Sequence, residues 1–185
     1  MTLSSSRNDS PPSPSAARSG PLTDFPAARI VWALTRISIG WVFLWAFLDK
    51  TFGLGHETPA AGAWLEGGHP TEGFLSKAAR GPLQGFYNGL AGHAVIDWLF
   101  MLGLLGIGAA LILGIAMRVA AGAGALMLVM MWGAALPPEN NIFMDDHLVY
   151  ALVLVGLALV HAGDTLGLGA WWSRLGLVRK FPFLR

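Results

Sequence analysis

Four side chains able to carry protons stand where apolar segments end: Asp49, Asp97, Asp146 and His147. Carboxylates beside an imidazole at a membrane boundary are what proton delivery to a bound quinone needs, because quinone reduction couples electrons to protons. Trp132 and Tyr150 fall at the same segment ends and are candidate contacts to a quinone ring. Lys50, Lys77 and Arg80, with His56, His69 and His93 nearby in the chain, offer positive charge to a small anion. A capping role stays open for Asp97 and Asp145, since a carboxylate at a helix start accepts free amide hydrogens and favours the dipole.

Other chemistries are narrowed by what the chain contains. It has no cysteine, which excludes disulfides, thiolate zinc sites, Cys-ligated iron–sulfur clusters and Cys-x-x-Cys redox chemistry. His147 and His161 are fourteen residues apart on one expected helix, the spacing of axial ligands in two-haem bundles. No other apolar segment carries a histidine, so haem would require a second copy of the chain across a dimer. The loop histidines show no metal-ligand spacing, and neither a metal nor haem is expected. The net charge is +1 and the twelve Lys and Arg are scattered, which gives no electrostatic case for nucleic acid.

The elements that position these residues are apolar. Of 185 residues 54% are hydrophobic and only 12% charged, about half the charged share of a soluble domain. Four apolar segments, at about 28–52, 96–114, 119–136 and 147–163, each have a length that crosses a bilayer as a helix. The expected fold is therefore all-α: an integral membrane four-helix bundle with a helical extracytoplasmic loop between helices 1 and 2. Residues 1–27, rich in Ser, Pro and Ala, read as a disordered cytoplasmic tail. Residues 28–170 form the transmembrane domain, and 171–185 form an interfacial basic and aromatic segment.

With a cytoplasmic N-terminus, eight Lys and Arg fall inside and three outside, so both termini are placed in the cytoplasm of a multi-pass cell-membrane protein. Arg36, the one basic residue within a span, is expected to snorkel to the inner headgroups, with pairing to Asp164 as the alternative. Gly114 suits a left-handed helix cap and sets a tight hairpin between the second and third spans. Gly103, Gly106, Ala110 and Gly114 are expected to form a close-packing face. In the loop, Pro82 starts an expected cap helix carrying Leu83, Phe86, Tyr87 and Leu90, and Thr58-Pro59 starts a shorter one presenting Trp64 and Leu65.

Four segments together resemble the DoxX/DoxD family: Trp41 to Lys50, Gly68-His69-Pro70-Thr71-Glu72-Gly73-Phe74-Leu75, Leu113 to Arg118, and Asn141-Ile142-Phe143-Met144-Asp145-Asp146-His147. The resemblance covers about residues 29–170. It implies a four-helix membrane protein related to the membrane subunit of thiosulfate:quinone oxidoreductase, which passes electrons from thiosulfate to a membrane quinone. The partners expected on this reading are the lipid bilayer, a membrane quinone and a DoxA-like subunit, with further copies of the chain as a homo-oligomeric option. The reading from another class is a non-catalytic membrane assembly or interaction subunit, which the absence of any cofactor motif favours.

Overall fold

The computed structural model describes residues 25–185. Residues 1–24 of the tail expected to be disordered lie outside them, while Phe25 stands at the N-cap and Pro26 and Ala27 already belong to the first helix, where Pro26 supplies a preset φ in the first turn. Helix α1 spans Pro26–Phe52, α2 Gln84–Asn88, α3 Ala94–Leu113, α4 Met117–Ala134, α5 Asp146–Leu159, α6 Gly169–Trp172 and α7 Gly176–Lys180, and no strand occurs among the described residues. Helices α1, α3 and α4 are long and apolar enough to cross a membrane. Helix α5 is apolar but has only 14 residues, about 21 Å of rise. The fourth expected span is thus cut short: the helix ends at Leu159, and His161 turns the chain with a left-handed φ of 52°.

Helix α1 packs on α3, α3 on α4, α4 on α5, and α5 meets α1 along a thinner seam. Phe43 of α1, Met101, Ile107 and Leu111 of α3, Leu128 of α4, and Leu154 and Leu157 of α5 share one buried core. Large apolar side chains such as Leu99, Leu102, Leu126 and Leu152 point outward on the same helices, as lipid-facing residues do. The close crossing of α1 and α3 rests on Gly40 and Gly108. A Cβ on Gly108 would sit 2.8 Å from the Leu44 amide nitrogen, and one on Gly40 would sit 2.9 Å from Leu111 Cβ. This corrects the expected stripe: Gly106 faces open space, Gly103 meets only the tip of Met127, and the packing face of α3 is the one bearing Gly108.

Local rules hold at the hairpin. Gly114 adopts φ 73° and ψ 29° after α3, and its amide donates to Ala110 O at 2.8 Å. The loop between α1 and α3 is folded against the helices, as expected, but in shorter pieces. Two 3-10 turns at Ala60–Gly62 and Trp64–Glu66 are followed by a π-helical turn at Phe74–Ala78, a 3-10 turn at Gly81–Leu83 and then α2. Trp64 packs edge-on to Trp98 at 4.6 Å, while Leu65 is exposed. Tyr87 is buried and donates to Met130 O at 2.8 Å, pinning α2 to α4, whereas Leu83 and Phe86 stay exposed.

At the opposite, terminal end, Arg36 does not snorkel. Its side chain is fully buried. Nη1 donates to Leu111 O and to Ile112 O at 2.9 Å, and Nη2 donates to Leu166 O at 2.8 Å and Thr165 O at 3.3 Å. The last carbonyls of a helix lack intrahelical partners and carry its negative partial charge, so a cation there satisfies both hydrogen bonding and the dipole of α3. Asp164, the alternative partner for Arg36, pairs with Arg185 at 3.2 Å. The last residues fold back beneath α4: Trp172 Nε1 donates to Leu184 O at 2.6 Å, and the Arg118 amide donates to Arg185 O at 2.9 Å.

Candidate functional site

At the loop end, each boundary carboxylate is held by a different set of partners. Asp49 sits in the last turn of α1, where a negative charge opposes the dipole. Its carboxylate is buried and accepts the amides of His56 at 3.2 Å, Glu57 at 3.1 Å and Thr58 at 2.9 Å. Those donors close the turn that follows α1 and offset the unfavourable position.

Asp97 lies one turn inside α3 and does not cap it. Its Oδ1 accepts from the Thr71 amide at 3.0 Å and the Thr71 hydroxyl at 2.7 Å, while Oδ2 meets His69 Nδ1 at 2.8 Å. Asp97 and Thr71 are buried, whereas the His69 side chain is 44% exposed. The hydrogen bond from His69 to Asp97 holds the imidazole pKa above its ordinary value. His69, Asp97 and Thr71 therefore form a hydrogen-bonded chain from solvent to a buried hydroxyl.

Asp145 is the side chain that caps: as N-cap of α5 it accepts the Leu148 amide at 3.2 Å, and its other oxygen meets His147 Nδ1 at 2.8 Å. Asp146 is exposed and lies 3.5 Å from the same imidazole nitrogen. Of the four expected proton carriers, the structure brings Asp146 and His147 together and gives Asp49 and Asp97 separate partners in the loop. His147 and His161 do not share a helix, because α5 ends between them, and this removes the premise of the axial-ligand spacing.

Thr71 opens onto the cavity that makes this chain of groups chemically interesting. A half-open cavity of about 480 Å³ lies between the loop, α3 and α4, with walls from Phe74, Tyr87, Phe100, Met127, Met130 and Met131. The volume lies in the range of small-molecule sites, and a wall of methionines adapts to a ligand's shape. Gly103 leaves the room, since a Cβ there would come within 2.5 Å of Met127 Cε. Leu99 and Leu126 line the cavity and are also exposed on the flank of the helices, so it opens sideways between α3 and α4.

The expected quinone contacts lie elsewhere. Trp132 Nε1 donates to Phe143 O at 2.6 Å and ties down the turn before α5, and Tyr150 lines a groove between α1 and α5. The expected anion-attracting residues are dispersed. Lys50 lies 3.7 Å from Glu57, Arg80 pairs with Glu139 at 2.9 Å, and Lys77 is exposed on the π-helical turn. Thr71 was not foreseen as a site residue. The signal that carried it was the His69-Pro70-Thr71 stretch, which places two side chains able to hydrogen-bond two residues apart. No protein-family model, curated protein or solved structure matches the chain.

Proposed function

We propose that the protein is a transmembrane four-helix quinone-binding subunit of an oxidoreductase, with α5 and the turn after it completing the fourth crossing and both termini in the cytoplasm. The observation that carries this reading is the lateral apolar cavity whose polar edge, Thr71, is hydrogen-bonded to buried Asp97. A membrane quinone is an apolar chain with a ring whose carbonyls accept protons on reduction. A cavity open to lipid on one side and edged on the other by one hydroxyl, which is hydrogen-bonded to a carboxylate and through it to a solvent-reaching imidazole, suits both parts. With a proton on Asp97, that carboxyl would donate to Thr71 Oγ1 and free the Thr71 hydroxyl hydrogen for a ring carbonyl, and His69 would return protons to Asp97 from the water beyond the loop. Phe74, Phe100 and the methionines would pack the ring and exclude water.

The donor side of the proposal comes from the DoxX/DoxD resemblance: thiosulfate, or another small sulfur anion, oxidised together with a DoxA-like partner. Two thiosulfates joined through a new sulfur–sulfur bond as tetrathionate release the two electrons that quinone needs, and the two protons that complete the quinol would enter through His69. The assembly-subunit reading is favoured by a different observation. The carboxylates of Asp49 and Asp97 each tie loop backbone to a helix end, which is a structural task complete without any ligand.

Reconstituted protein with a membrane quinone, thiosulfate and a DoxA-like partner separates the two. Thiosulfate-dependent quinol formation that falls with Thr71→Val and Asp97→Asn supports the oxidoreductase. Retention of no quinone by the purified protein, with partner assembly intact, supports the assembly subunit.

A further inference from the structure

The segment that closes the fold carries charge of one sign. Residues 165–185 hold Arg174, Arg179, Lys180 and Arg185 and contain no Asp or Glu. Arg185 is occupied by Asp164 at 3.2 Å. Arg174, Arg179 and Lys180 are exposed, and none of the ion pairs among the described residues includes them. Large apolar side chains stand among these cations: Trp171, Leu177, Phe181 and Phe183 are all exposed.

Hydrogen bonds fix the depth at which this segment lies. Arg118 is the second residue of α4; its amide donates to Arg185 O at 2.9 Å and its Nη1 donates to Pro182 O at 3.1 Å. Helix α4 is long and apolar enough to cross a membrane, so its first turn marks the level at which hydrocarbon gives way to headgroups, and the segment is tied to that level. Within it, Val178 is the buried side chain of α7, and the Phe181 amide continues the helical turn by donating to Leu177 O at 2.9 Å. At 3.6 residues per turn, Leu177 and Phe181 fall on one flank of α7, Arg179 falls on the other, and Lys180 lies opposite Val178. Lys180 Nζ stands 5.6 Å from the centre of the Phe181 ring.

Exposed apolar side chains at the depth of a membrane boundary, set among cations without a protein partner, are complementary to a layer that is anionic at its surface and apolar beneath. We infer that residues 171–183 lie on an anionic lipid surface, the headgroup layer of the leaflet at the terminal end, with Leu177 and Phe181 entering the acyl boundary and Arg174, Arg179 and Lys180 against lipid phosphates. A zwitterionic layer holds the segment less strongly, because each phosphate there already carries its own cation. The assignment rests on the membrane-crossing helices and is independent of the quinone reading.

Hydrogen exchange read by mass spectrometry on the full chain tests this, in nanodiscs of phosphatidylcholine alone and of equal parts phosphatidylcholine and phosphatidylglycerol. The amides of residues 174–181 should exchange at least about fivefold more slowly in the anionic discs, the gain that one Lys or Arg held near an anionic surface supplies. Exchange within α3 should be the same in both. The combined variant Arg174→Gln, Arg179→Gln and Lys180→Gln should abolish the difference between the lipids. Because all three side chains are exposed and outside the ion pairs, the fold should survive, and unchanged protection of α4 checks that it has. Leu177→Ser should reduce the slowing in the anionic discs. Equal exchange of residues 174–181 in the two lipids overturns the proposal, as does a slowing that persists in the combined variant. Full slowing in Leu177→Ser overturns the entry of the apolar flank into the lipid.

Discussion

The two ends of α3 each bury a charge, and they solve the problem differently. At the loop end Asp97 is met by side chains that titrate or rotate, His69 and the Thr71 hydroxyl, and by one amide. At the terminal end Arg36 is met by four backbone carbonyls from two chain segments. Carbonyls neither gain nor lose protons, so the Arg36 arrangement is a fixed lock joining α1, the end of α3 and the turn after α5. The Asp97 arrangement connects solvent to a cavity through groups whose protons can move. A buried charge at one end serves the fold, and at the other it is available to chemistry as well.

The lock predicts the largest effect. Arg36→Met removes a charged donor from four buried or half-buried carbonyls. A hydrogen bond to a charged group contributes about 1.5–3 kcal/mol, so losing two without replacement costs about 3–6 kcal/mol, most of a marginal stability. Thermal unfolding in detergent should show a large drop in midpoint, and Arg36→Lys should recover part of it, because an ammonium has three donors but not the planar fork. Wild-type stability in Arg36→Met would break the contrast between the two ends.

Asp97→Asn sharpens the other side. The amide oxygen still accepts from Thr71 and the amide nitrogen can donate to His69, so the loop should stay docked and the midpoint should change little. What is lost is the titrating group, and quinone-linked turnover should fall roughly a hundredfold. Asp97→Ala should instead destabilise by about 1–3 kcal/mol, because the Thr71 amide and hydroxyl are left without their acceptor. Equal turnover in Asp97→Asn and the unaltered protein would leave Asp97 as a clasp on the loop.

Gly103→Leu acts on the cavity alone. The new side chain displaces the flexible tip of Met127 and occupies space a ligand would use. On the proposed function, loss of about two methylenes' worth of contact, about 0.8 kcal/mol each, should weaken retention of a quinone by about tenfold. Extraction of quinone from equal amounts of purified protein measures this, and unchanged retention would place the quinone elsewhere.

How much of this was legible in the sequence follows from how local each feature is. Gly114 acts on the turn in which it stands and was readable as a helix boundary, whereas Pro26, which opens α1, was placed in the tail because the apolar run begins only after it. The cap on α5 was readable at Asp145 for the same reason. Arg36 was misread as snorkelling because its partners are carbonyls 75 to 130 residues away, and carbonyls have no signature in sequence. The α1–α3 crossing at Gly40 and Gly108 was missed because a helix that is apolar all round has no periodicity to mark its inward face. The Asp97 site was half legible: a boundary carboxylate was evident, but its acceptor role toward Thr71 depends on a loop folding back over 26 residues.

The smallest expected effect, and the one that separates the two ends most cleanly, is a pH dependence. The His69 pKa is raised above its ordinary value of about 6.5 by the hydrogen bond to Asp97. A group whose folded-state pKa is raised binds protons more tightly folded than unfolded, so its stabilisation is fully present below about pH 6.5 and is lost as pH rises through the raised value. The loop around His69 should therefore become more open to proteolysis or hydrogen exchange between mildly acidic and mildly alkaline pH. His69 is well exposed, so the change should be modest and should shrink in high salt. His69→Gln and Asp97→Asn should each flatten the profile, the first by removing the proton site and the second by removing the charge that favours it. Around Arg36 exchange protection should stay level across the same window, since a guanidinium held by carbonyls has nothing to titrate there. A loop profile that stays level in the unaltered protein would mean that His69 and Asp97 do not share a proton, and the solvent-to-cavity chain would lose its first step.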